Sequence, residues 1–250
     1  MRTFLVAFLF CSFSLASPSA FDLFHEANQA FDKGEYESAI RRYRDLITQG
    51  FDSADLHFNI ANAYFKEKSI GRSIFHYLKA LELSPRDPDI RFNLAYAKEK
   101  VVDQIENRSS VGTRLESLYQ AINKKEAYYL LIVVMSLFFS CLSIELFYRP
   151  DRLRWARYGL ILLVAFSLPA VVYHSFLRQP YGVVIVSEAK IYSGIGKDNV
   201  VLFTLHEGSE LFTVEWVEND WVRIRLRDGK QGWIRSGDIV HERLTTAATG

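Results

Sequence analysis

The chain has 250 residues, and its 30 Lys and Arg against 29 Asp and Glu give a formal net charge of +1. That balance argues against a nucleic-acid binder, which carries a basic face, and the length allows one large domain or two small ones. The hydrophobic content of 49% is ordinary on average, yet it is gathered into blocks divided by charged stretches, which points to separate modules.

In chain order, Arg2 precedes an apolar run over residues 4–15, too short to span a bilayer and of the right length for the core of a secretory signal. Ser14-Leu15-Ala16 places small residues where a signal peptidase reads, so residues 1–16 are expected to be removed. Cys11 follows the bulky Phe10, where a lipidation signal needs a small residue. With Cys11 removed, Cys141 is the one cysteine left in the sequence, which excludes a disulfide framework and a thiolate metal site.

Residues 21–106 repeat with a period of 34: Phe58-Asn59-Ile60-Ala61 recurs as Phe92-Asn93-Leu94-Ala95, and Asn28 and Phe31 share register with Asn62 and Phe65. Apolar residues recur at helical spacing within each unit, so each reads as a helical hairpin. Ala27, Ala39, Ala61, Ser73 and Ala80 supply the small residues that let two helices cross closely. On these residues, with Pro85 closing the second unit, the region resembles the tetratricopeptide repeat family. Two full units and a capping helix over residues 87–105 are expected. The resemblance implies a concave surface for protein partners, formed here by Phe24, Asn28, Phe31, Phe58, Asn62, Phe65, Phe92 and Tyr96. Some family members clamp a terminal carboxylate; its asparagine positions are matched by Asn28 and Asn59, but its basic positions hold Phe24, Asp89 and Asn93. An apolar or amide-directed ligand is therefore favoured over a carboxylate.

A polar hinge over residues 108–113 leads into a linker to residue 126, with an amphipathic helix over Leu115, Leu118 and Ile122. Two apolar runs, 127–148 and 158–177, are each long enough to cross a membrane, with Tyr128, Tyr129, Tyr148, Trp155, Tyr158 and Tyr173 near their ends. The connection at 149–157 carries Arg149, Arg152, Arg154 and Arg157 against Asp151, so the positive-inside rule places it in the cytoplasm and both flanking segments outside. Pro169 is expected to kink the second span, and Glu145 and His174 lie close enough to the ends to snorkel.

Over residues 180–243 the pattern changes to short alternating runs, 183–186, 189–192, 210–215, 221–226 and 232–234, separated by turn residues such as Glu207-Gly208-Ser209 and Asp228-Gly229-Lys230. Five short strands in so little chain predict a small all-β barrel. The order Leu205-His206-Glu207-Gly208, Trp221-Val222-Arg223-Ile224 and Gly229-Lys230-Gln231-Gly232-Trp233 resembles the bacterial SH3 family, which binds peptides or cell-wall material. Strand parity sets Val222, Ile224 and Leu226 against Trp221, Arg223 and Arg225, and the latter with Tyr192, Trp216 and Trp233 form the expected ligand surface, unless the twist of the barrel buries the tryptophans.

The six histidines show no metal-ligand spacing and no glycine-rich phosphate loop is present. No enzyme and no cofactor is expected. Taken together, signal segment, repeats, two spans and terminal barrel resemble the BatE proteins of the bacterial aerotolerance (Bat) operons. That resemblance implies an inner-membrane complex with von Willebrand A-type Bat proteins, the repeats and barrel lying on the periplasmic side, with a role in stress tolerance. A second expectation is a sensor or tether whose barrel holds peptidoglycan.

Overall fold

The structure, a computed structural model, describes residues 20–103, 118–148, 153–178, 180–196, 198–216 and 220–242. The expected signal segment with Cys11, the hinge at 108–113, Leu115, and the loop residues Arg149, Asp151 and Arg152 lie outside them.

Five helices open the fold: α1 (Ala20–Asp32), α2 (Tyr36–Thr48), α3 (Ala54–Lys66), α4 (Ile70–Leu83) and α5 (Pro88–Lys98). They form antiparallel hairpins because the small residues of the 34-residue period sit at the crossings, where Ala27, Ala39, Ala61, Ser73 and Ala80 are all 0% exposed. Ser73 Oγ also donates to the Ala61 carbonyl at 2.9 Å, which ties α4 to α3 at the point of closest approach. The turns follow the same period. Gly34 has φ +80° between α1 and α2, and Lys68, one period later, takes φ +64°, a left-handed conformation uncommon outside glycine. Ser53 caps α3 by accepting from the Leu56 N–H at 3.2 Å, and Asp87 caps α5 by accepting from Asp89 and Ile90 with Pro88 next in line. The capping helix is shorter than the expected 87–105. It stops at Lys98, and the chain carries Val101 and Asp103 away toward the C-terminal strands.

The apolar segments form helices α6 (Lys124–Tyr148) and α7 (Leu153–Val172), the latter closed by a π-helical turn, Tyr173–Leu177, that follows Pro169. Both are long and apolar enough to cross a membrane, with spans of 23 residues and mean hydropathy of 2.2 and 2.1. They pack side by side as a hairpin. A reciprocal cap starts α6: Asn123 Oδ1 accepts from the Glu126 N–H at 2.8 Å and Glu126 Oε2 from the Asn123 N–H at 3.1 Å. Ile122 therefore lies in a turn before α6, not in the amphipathic helix expected there, of which Leu118–Gln120 alone is helical among the described residues. Helix α7 begins five residues before the expected span, so Arg157 stands on the helix and donates to Glu145 of α6 at 2.8 Å.

Eight strands follow, all antiparallel to their neighbours: β1 (Gly182–Val184), β2 (Glu188–Tyr192), β3 (Val201–His206), β4 (Glu210–Leu211), β5 (Thr213–Trp216), β6 (Trp221–Arg225), β7 (Gln231–Arg235) and β8 (Ile239–His241). They make a three-stranded sheet, β4-β1-β8, and a five-stranded one, β3-β2-β7-β6-β5. The sheets enclose a core of Val184, Ile191, Leu205, Val222, Ile224 and Ile234. The run expected over 210–215 is divided into β4 and β5, which belong to different sheets, and β3 and β8 add to the five runs expected; β3 is apolar without alternation, and β8 is three residues long, so neither carries a period-2 signal.

The sheets do not stand apart from the helices. Val183, Tyr181 and Val240 share one apolar cluster with Phe75, Tyr77 and Leu94 of the repeats. Around it, Glu207 accepts from the Gly71 N–H at 2.9 Å, and Asp103 accepts from the His206 N–H at 2.6 Å and from His206 Nδ1 at 2.8 Å. Arg178, directly after the π turn, holds both carboxylate oxygens of Glu82 on α4 at 2.6 and 2.8 Å and Glu242 beyond β8 at 3.1 Å. Arg86 pairs with Glu126, and Asn123 donates to the Leu83 carbonyl at 3.2 Å. The C-terminal end of α4 thus rests on the ends of both apolar helices.

Candidate functional site

The first helices of the hairpins, with Tyr43 of α2, form a cleft of about 330 Å³ lined by Asn28, Phe31, Asp32, Tyr43, Asn59 and Asn62. Its chemistry repeats with the helices. Tyr43 donates its hydroxyl to Asn28 Oδ1 at 2.5 Å, and one period later Tyr77 donates to Asn62 Oδ1 at 2.5 Å. Phe24 lies against Tyr43 with centroids 5.9 Å apart, as Phe58 lies against Tyr77 at 5.9 Å. Asn59 Nδ2 makes a longer contact of 3.4 Å to the same Asn28 oxygen.

Burial pushes the Tyr43 phenol up to about 12, with nearby Asp32 adding to the effect, and burial likewise raises Tyr77 to about 12. Both therefore remain donors at any ordinary pH, so each asparagine oxygen is occupied and its amide N–H₂ is the group left for a ligand. The cleft offers amide donors and aromatic faces beside one acid, Asp32. Such a lining suits the carbonyl acceptors of an extended chain and disfavours an anionic terminus.

The remaining expected groove residues continue this face. Phe65 packs on Tyr96 at 5.5 Å, and Phe92 and Tyr96 are 72% and 44% exposed on α5. The structure thus brings Asn28, Phe31, Asn59 and Asn62 around one cleft and strings Phe65, Phe92 and Tyr96 beyond it. Asp32 and Tyr43 are additional members of the cleft, and Tyr77 supports it from behind Asn62. The 34-residue spacing of the two tyrosines is a signal in the sequence that would have picked them out.

On the C-terminal sheets, Tyr192 pairs with Trp233 across β2 and β7, and Trp233 with Arg223 across β7 and β6. Trp221 is 8% exposed, edge-on to Tyr192 at 5.3 Å and with Arg235 5.8 Å from its ring centre, so it is wall rather than open surface. Arg223 and Arg225 are exposed, Trp233 is half-buried, and Trp216 stands opposite Val222 in the β5–β6 register. Among the described residues no three His, Cys, Asp or Glu side chains are grouped to hold a metal.

Helical hairpins repeating every 34 residues around a concave cleft define a protein-interaction array, and the C-terminal half of it is matched by a family model: residues 62–101 fit the TPR repeat. Among curated proteins the chain is similar to response regulator aspartate phosphatase H of Bacillus subtilis, 31% identical over 74 residues, which covers 27% of this chain and 20% of that protein. It is also similar to photosystem I assembly protein Ycf3 of Synechococcus elongatus, 32% identical over 82 residues, covering 32% of this chain and 47% of that protein. The chain therefore spans from a fifth to just under half the length of these relatives.

Proposed function

We propose that the chain is a non-enzymatic adaptor, anchored by α6 and α7 in a bacterial inner membrane, that binds protein partners through the repeat cleft on the periplasmic side. The observation that carries this reading is the doubled Phe–Tyr–Asn arrangement of the cleft, which holds amide donors at a fixed spacing along a groove. The arginine-rich connection between the spans supports the topology. The order of modules is similar to BatE proteins, so a Bat-type stress complex with von Willebrand A-type partners is the setting proposed, and the strands of residues 180–243 are read as an SH3-like barrel. The test is capture of partners from detergent-solubilised envelopes by the tagged full chain and by an Asn28→Ala/Asn62→Ala variant. Losing two hydrogen bonds at about 0.5–1.5 kcal/mol each is expected to cut recovery about tenfold. Equal recovery of the same partners by both chains would sink the adaptor reading.

A second reading, a tether whose barrel holds peptidoglycan, is supported by exposed Arg223 and Arg225 beside Trp233. The buried Trp221 leaves that surface small. Under this reading the full chain cosediments with purified cell wall and an Arg223→Ala/Arg225→Ala variant does not; sedimentation unaffected by the change counts against it.

A further inference from the structure

A second cavity, of about 190 Å³, lies where α4, the strands and the apolar helices meet. Apolar side chains line much of it, Leu78 and Leu81 from α4, Ile122 from the turn before α6, and Leu211 and Phe212 from the strands, with Glu82, Gln120, Arg178, Glu210 and Arg227 among them. Tyr173 and His174, in the π turn that ends α7, also line it. Ile122 stands two residues before one span, and Tyr173 and His174 lie in the last turn of the other, so the cavity sits beside the ends of both apolar helices.

The charges at this cavity are unevenly matched. Arg178 is held by Glu82 and Glu242, and Glu210 by Lys98 at 2.6 Å. Arg227, by contrast, is exposed, lies 5.4 Å from the centre of the Phe212 ring, and has no carboxylate partner among the described residues. A largely apolar cavity whose exposed Arg227 has no carboxylate partner among the described residues matches an amphiphile with an acyl chain and an anionic head.

We propose that this cavity binds an anionic phospholipid of the surrounding bilayer, one acyl chain lying among Leu78, Leu81 and Phe212 and the headgroup phosphate on Arg227. The inference rests on α6 and α7 spanning the membrane. A lipid so held would bridge the bilayer surface to α4, the helix that also carries Tyr77 of the cleft. The full chain is reconstituted in phosphatidylcholine vesicles doped with phosphatidylglycerol bearing a photoactivatable group on its tail, and labelled peptides are identified. Labelling is expected at Leu78, Leu81 and Phe212 in addition to the spans. Arg227→Gln, a change of an exposed side chain, is expected to lower the labelling at those three residues about fivefold, the worth of one cation near an anionic surface, and to leave the spans unaffected. A Leu81→Trp variant, which fills the cavity, removes it. Labelling confined to the spans, or equal labelling of the cavity by a phosphatidylcholine analogue, overturns the proposal while leaving the anchor intact. Release of the chain from vesicles by alkaline carbonate instead brings down the anchor itself.

Discussion

Replacing Gly71 with alanine is expected to destabilise the full chain by about 2–3 kcal/mol and to separate the strands from the repeats. On an exposed helix the same change stabilises by up to about 1 kcal/mol, because glycine is the poorer helix former. Here the added Cβ would stand 2.1 Å from the Val184 carbonyl oxygen and 3.1 Å from its carbon, both backbone atoms of β1. Backbone cannot swing aside as a side chain tip does, so β1 must retreat as a whole. Its retreat pulls Val183 out of the cluster it shares with Phe75 and breaks the bond from the Gly71 N–H to Glu207. Thermal unfolding of the detergent-solubilised chain measures the loss, and faster proteolysis between the repeats and the strands reports the separation. Gly159→Ala in α7, where a Cβ meets nothing within 4 Å, serves as the control and is expected to leave the proteolysis unchanged and to raise stability by at most about 1 kcal/mol. A variant at Gly71 as stable as the parent would show that the two regions are not packed in this way.

Why this contact escapes the sequence is a matter of distance along the chain. The repeats are legible because their packing is local. A residue that must be small at a helix crossing recurs one period later for the same reason, and Ala27 and Ala61 each end fully buried. The cleft asparagines Asn28 and Asn62 are legible for that reason too. Gly71 carries no such signal, since what fixes it is Val184, more than a hundred positions away, and Asp103 likewise meets His206 and Ser209 across a separation no periodicity records. Alternation identified β2, β6 and β7, where one face is core and the other solvent. It missed β3, whose Val201 and Leu202 remain 43% and 50% exposed at the edge of the five-stranded sheet.

Stability of the repeats is expected to fall as pH drops below about 6.5, at a slope approaching about 1.4 kcal/mol per pH unit, because of a histidine pair buried between α3 and α4. His57 Nε2 lies 3.0 Å from Asp52 Oδ1, and its Nδ1 lies 2.9 Å from His76 Nδ1. A carboxylate only accepts, so His57 donates from Nε2 to Asp52, while the Nδ1–Nδ1 contact needs one ring to donate and the other to accept. His76 is stacked on Tyr64 and edge-on to Phe75, without a carboxylate of its own in this chain of bonds. Burial holds its pKa well below the free value of 6.5, and neighbouring His57, Arg44, Lys79 and Arg72 press in the same direction. The folded chain therefore keeps His76 neutral where the unfolded chain already binds a proton. In that interval the unfolded state holds more protons, so stability is complete above about 6.5 and is lost progressively toward the lowered pKa. The hydrogen bond from His57 holds the Asp52 carboxyl below its usual 3.8, so its own contribution persists until the pH falls below that value. Helix α3 carries Phe58, Asn59 and Asn62, so loosening the pair also disturbs the cleft. Amide exchange in α3 and α4, followed from about pH 7 to about pH 5, is expected to quicken in the parent chain and to stay nearly level in His76→Asn, whose amide can take the place of Nδ1 toward His57. An equally steep pH response in that variant would assign the acid sensitivity to other groups.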